Sequence, residues 1–185
     1  CVYLERGTLS TKITASTLAD RYRAGDGFPD NIIDIVLDSL NIFSQSVKHF
    51  RYNIKFNKAT LLSWLCFIVQ LEKLQLNIST FDLGNYIYQF EISRTNMKIG
   101  SSSFNLNPEI SVELLNIFNH RASSRVADVM SVLMRDIIIW MLFIVHQNGY
   151  IEINRIEKLS SINELLYTLR SNDFDIPETI MEFID

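Results

Sequence analysis

At 185 residues the chain has the length of one compact domain, enough to bury most of its apolar side chains. Its 48% hydrophobic and 21% charged residues are an ordinary globular composition, and six Gly with three Pro are few turn-formers for an all-β domain of this size. A net charge of -4 excludes a chain-wide electrostatic affinity for nucleic acid or acidic membranes, and two cysteines, Cys1 and Cys66, exclude a disulfide framework.

The chain begins at Cys1 with no signal peptide, so it reads as a piece cut from a longer protein and is expected in the cytoplasm. A lipid-modified N-terminal Cys is the weaker reading, because Val2-Tyr3-Leu4 follows with no polar tether. Residues 1–29 leave their structure undecided, although Thr14 to Arg23 can form a short helix closed by Ala24-Gly25-Asp26-Gly27. From Asp30 to Phe50, Ile33, Val36, Leu37, Leu40, Phe43, Val47 and Phe50 recur at three- and four-residue steps, which predicts a helix with these side chains on one face. Arg51 to Lys58 reads as a short extended connector, and Asn57 caps a helix from Lys58 to Leu76 that is apolar on more than one stripe.

Ser79 or Thr80 starts the next helix, which ends near Arg94 and contains Gly84. A glycine there weakens the helix by about 1 kcal/mol unless a neighbouring helix needs the close approach. Residues 95–106 are polar and are expected to form a flexible loop. Asn107-Pro108-Glu109 starts a helix through Phe118, and His120 to Ser124 is a short break. Ser124 is expected to cap a long helix through Val145. Its apolar run from Ile137 to Val145 is about half of the roughly twenty residues of a membrane span, so it reads as a core helix. Ser161 to Glu164 has capping-box spacing for a helix at 162–170, and Asp175-Ile176-Pro177-Glu178 opens a last helix to Phe183. The sum is an all-α bundle of seven or eight helices in one domain.

Few residues point to chemistry. His49, His120 and His146 have no ligand partner at helical spacing, so no metal and no cofactor is expected. Neither a phosphate-cradling glycine loop nor a Gly-x-Ser-x-Gly elbow occurs. Cys66, inside Leu61 to Val69, reads as a small buried hydrophobe without a cationic partner nearby.

Two features stand out. Between Asp38 and Glu72 no acid occurs, while Lys48, Arg51, Lys55 and Lys58 interleave with Phe50, Tyr52 and Phe56, a pattern suited to nucleic-acid backbone contacts. The alternative is a solvated connector whose aromatics point into the core. The second feature is a polar cluster of Arg121, Arg125, Asp128, Ser131 and Arg135, of which the last three form one stripe on the helix after Ser124. Arg135 stands in an apolar helix, where an unpaired charge would cost several kcal/mol. An internal ion pair to Glu91 or Asp128 is therefore expected, unless Arg135 contacts a ligand, nucleic acid or partner domain.

Phe90-Glu91-Ile92-Ser93-Arg94, a loop, a short helix and then Asp128-x-x-Ser131-Val132-x-x-Arg135 resemble the helical C-terminal region of GmrSD-type, ParB-like restriction proteins. Phe56-Asn57-Lys58 before Leu61-Leu62 is similar to the helix start that precedes those motifs, and the likeness spans about residues 40–145. In that family a nucleotide-dependent domain with an Asp-Gly-Gln-Gln-Arg-type motif comes first. Neither that motif nor a His-Asn-His nuclease signature occurs here. The resemblance implies a non-catalytic helical part of a phage-defence protein, in which Glu91, Arg94, Asp128 and Arg135 hold the scaffold.

The expected partners are the other domain of the same longer protein and DNA, contacted through Lys48, Arg51, Lys55, Lys58, Arg121 and Arg125, and not a membrane. The alternative is a stand-alone helical module that binds a partner helix in an apolar groove. A self-contained enzyme would need a pocket with convergent polar groups.

Overall fold

The computed structural model describes residues 1–96, 104, 106, 108–147, 156–171 and 175–184. The described residues form helices and no strands: α1 (Val2–Arg6), α2 (Ala15–Arg23), α3 (Asp30–Val47), α4 (Lys58–Lys73), α5 (Thr80–Thr95), α6 (Pro108–Ser123), α7 (Val129–Gln147), α8 (Glu157–Ser171) and α9 (Ile176–Ile184). The all-α bundle expected from the sequence is present, with α1 added at a place the pattern left open.

Caps fix several of these starts. Thr14 and Thr17 exchange side-chain and backbone bonds around the first turn of α2, a complete capping box. Asn57 Oδ1 accepts from the Thr60 amide at 2.8 Å, and Ser79 Oγ from the Asp82 amide at 3.1 Å. Each satisfies an amide that has no carbonyl partner within its helix.

Three boundaries differ from expectation by more than one helical turn, and α3 and α4 end three residues early, at Val47 and Lys73. α6 continues through Ser123, and α7 starts only at Val129, because the chain turns over 124–128 with Arg125 in a left-handed conformation at φ 49. Ser124 is therefore not the cap, and Asp128 directly precedes the helix. α8 begins at Glu157, so Ser161 lies inside it and its hydroxyl donates back to the Glu157 carbonyl at 3.1 Å. The loop expected at 95–106 lies mostly outside the described residues, but its Phe104 and Leu106 are buried.

α7 is the centre of the bundle. Every residue from Met134 to Val145 is buried, and the helix packs against α4, α5, α6, α8 and α9. By length and composition α7 is able to cross a membrane, yet most of its surface is enclosed by the other helices. Trp64, Phe67, Tyr86, Phe90, Trp140 and Phe143 form one aromatic nucleus at its flank, with most rings edge to face.

α3 lies outside this core on α4 and α5, and its inward face is only partly the expected one: Val36, Phe43, Val47 and Phe50 are half-buried, with Phe43 and Phe50 against the core. Ile32, Ser39 and Ser46 face inward, while Ile33, Leu37 and Leu40 are 38%, 57% and 41% exposed. A Cβ on Gly84 would stand 2.4 Å from the Ser46 carbonyl oxygen. The α3–α5 crossing is thus so close that α5 has no room for a side chain at residue 84.

Candidate functional site

The residues expected to hold the scaffold, Glu91, Arg94, Asp128 and Arg135, separate into two groups. Glu91, fully buried on α5, accepts from Trp64 Nε1 at 2.8 Å and from Arg94 Nε at 2.8 Å. Arg94 Nη1 also donates to Asn119 Oδ1 at 3.1 Å, and Asn119 Nδ2 to the Arg94 carbonyl at 2.9 Å, so α4, α5 and α6 are tied together.

Arg135 is elsewhere and meets neither Glu91 nor Asp128. Its Nε donates to Ser63 Oγ at 2.9 Å, Nη1 to the Arg121 carbonyl at 2.6 Å and Nη2 to the Val126 carbonyl at 3.1 Å. The physical reason is that α6 ends beside it. A helix C-terminus presents unbonded carbonyls with a partial negative charge, which takes the place of a carboxylate. Burial holds the Arg135 pKa below the ordinary arginine value, with Tyr3 and Cys66 pulling the other way. Asp128 is half-buried, and Ser131 Oγ is buried with no hydrogen-bond partner among the described residues.

The basic segment stays on the surface. Lys48, Arg51, Lys55 and Lys58 are exposed, whereas Phe50 and Phe56 turn inward, with Phe43 and Phe56 5.3 Å apart and Phe50 and Tyr88 5.7 Å apart. Only Tyr52, 72% exposed, is left among the cations. Asn57 Nδ2 donates to the Ala122 carbonyl at 3.2 Å, which sets the start of α4, with Lys58, against the last turn of α6, where Arg121 stands and Arg125 follows. None of Arg51, Lys55, Lys58, Arg121 and Arg125 forms an ion pair among the described residues, and Lys48 bonds only to Gln45. Lys48 and Arg51 belong to a different neighbourhood, where His49 meets Phe81 of α5 at 5.3 Å.

No family model, curated protein or solved structure matches this chain.

Sequence reasoning missed a cavity of about 430 Å3 between α4 and the N-terminal segment, also walled by α3, α7 and α8. Along α4 its wall is Leu62, Leu65, Cys66, Val69, Gln70 and Lys73, one helical face. At one end Asp136 accepts from Gln70 Nε2 at 2.7 Å and from Lys158 Nζ at 2.9 Å. Gln70 Oε1 in turn accepts from Trp140 Nε1 at 3.2 Å and from Lys158, whose Nζ lies 4.9 Å from the Trp140 ring centre. Burial and the charge of Asp136 push the Cys66 thiol up to about 12, so it stays protonated and is a poor nucleophile. The signal in the sequence was Gln70 and Asp136, two polar residues inside apolar helices. Neither pointed to Lys158, which is far off in the chain.

Among the described residues no group of His, Cys, Asp and Glu is arranged to hold a metal ion.

Proposed function

We propose that this chain is a non-catalytic helical accessory domain of a restriction-like, phage-defence protein, making contacts with another domain of that protein and with the DNA backbone. The observation that carries the DNA part is the hydrogen bond from Asn57 to the Ala122 carbonyl, which brings the helix start at Lys58 beside the helix end at Arg121, with Lys55 and Arg125 next to them in the chain. Among the described residues no carboxylate pairs with these charges, so phosphates are the complementary partner. The motif at Phe90 to Arg94 and Asp128 to Arg135 supports the restriction-like assignment through its resemblance. Its charged members Glu91, Arg94 and Arg135 tie helices to each other, which suits a scaffold.

The test is duplex binding by the full chain over a salt series. Three to four phosphate contacts give a slope of log K against log salt of about -3, because each contact releases roughly 0.9 of a counterion. Lys55→Ala, Lys58→Ala and Arg125→Gly together are expected to cut the slope to about -1, and glycine keeps the left-handed conformation at residue 125. Binding that ignores both salt and these substitutions removes the DNA contact from the proposal.

A second reading, a module that seats a partner helix, has one observation in its favour: the exposed apolar row Ile33, Leu37 and Leu40 on α3. Leu37→Glu would then abolish capture of the partner and leave duplex binding unchanged.

A further inference from the structure

We propose that the cavity under α1 is a binding site for a single-chain amphipathic carboxylate, with its hydrocarbon tail along α4 and its head group at Lys158 and Lys73. The volume of about 430 Å3 lies in the range of pockets that enclose one small molecule. Leu4, Val36, Leu62, Leu65, Val69 and Leu133 supply walls without hydrogen-bonding side chains, so the body of the ligand is apolar.

The polar end is rich in donors. Lys158 has three N–H groups and donates to Gln70 and Asp136, which leaves one. Gln70 Nε2 gives one of its two hydrogens to Asp136, and Lys73, exposed on the rim, forms no ion pair among the described residues. Asp136, the one carboxylate on the wall, already accepts from two partners. The free donors favour a head group that accepts, and two ammonium groups against one carboxylate favour an anion. The Cys66 thiol remains uncharged and adds no competing negative charge.

The N-terminal segment closes the site lightly. Val2 is the one buried residue of α1, and Glu5 is held by Arg21 at 3.0 Å. A ligand reaches the cavity when this five-residue helix lifts, without disturbing the core.

The site is independent of the DNA contact, and calorimetric titration with decanoate and with decan-1-ol tests it separately. The full chain is expected to bind one equivalent of decanoate, about tenfold more tightly than the alcohol of equal tail length. Leu65→Trp fills the tail channel and is expected to weaken decanoate binding by at least about tenfold. Val36→Phe serves the same purpose should Leu65→Trp fail to give a native melting curve. Lys158→Gln is expected to erase the preference for the acid over the alcohol. Absence of saturable binding, equal affinity for acid and alcohol, or unchanged binding in a folded channel-filled variant overturns the proposal.

Discussion

Arg135 carries a full positive charge into the second turn of α7, where its acceptors are a hydroxyl and two main-chain carbonyls. It closes the turn at 124–128 over the end of α6, and hydrogen bonds from a charged group are worth about 1.5–3 kcal/mol each. Arg135→Met leaves Ser63 and two carbonyls without their donor, so a loss of about 2–4 kcal/mol is expected in urea unfolding. Arg135→Lys reaches fewer acceptors and is expected to fall between the two, because an ammonium lacks the planar fork. If the methionine variant matches the native midpoint, the guanidinium is not what holds the turn. His146 offers a separate test by pH. Burial lowers its pKa from the ordinary 6.5, with Asp82 opposing, and its ring lies 5.3 Å from that of Tyr86. The unfolded chain therefore takes up a proton at a higher pH than the folded one, so its stabilising contribution is complete above 6.5 and is lost as pH falls through the lower folded value. His146→Gln is expected to flatten that part of the stability–pH curve relative to the native chain. Curves that stay parallel would place the pH dependence elsewhere.

The elements themselves were largely legible in the sequence, because caps and charge agree with periodicity in α2, α4, α5 and α9. α3 shows where that kind of reading fails. Ile32, Ser39 and Ser46 repeat every seven residues, yet the eye takes Ile33, Leu37 and Leu40 as the core because serine is counted as polar. Ser46 lies where the two helices come closest: a Cβ on Gly84 of α5 would meet its backbone carbonyl. Gly84→Ala is expected to destabilise by about 1–3 kcal/mol, although alanine gains about 1 kcal/mol in helix propensity, because a Cβ cannot displace the Ser46 backbone. Ser46→Ala is expected to be neutral or slightly stabilising, since its buried hydroxyl has no partner among the described residues. A stable Gly84→Ala chain with an unchanged denaturant midpoint would show that the two helices can part at little cost. The Arg135 environment and the cavity were illegible for another reason. Each depends on segments brought together from distant parts of the chain, and α1 has no pattern strong enough to announce itself.

Across the whole molecule, burial runs down steeply from α7 to the N-terminus. α7 is enclosed on all sides of its central turns and shares one aromatic nucleus with α4 and α5 through Phe67, Trp140 and Tyr86. α2 has no buried residue, and Arg21 supplies its main ties: ion pairs to Glu5 and Asp26 at 3.0 Å, bonds to the Asp26 and Gly27 carbonyls, and a contact over the Phe28 ring. Exposed ion pairs contribute about 0–1 kcal/mol, so α2 can open while the core stays intact. Hydrogen exchange should therefore divide the chain. Amides of α7 are expected to exchange only through global unfolding, with protection that follows the urea dependence of the whole chain, and those of α2 through local opening that urea barely affects. Arg21→Ala should remove the remaining protection of α2 and speed exchange in α1, since Glu5 loses its partner, while α7 is untouched. Equal protection along the chain would mean that the N-terminal helices fold as one unit with the core, and the route into the cavity by lifting α1 would be closed.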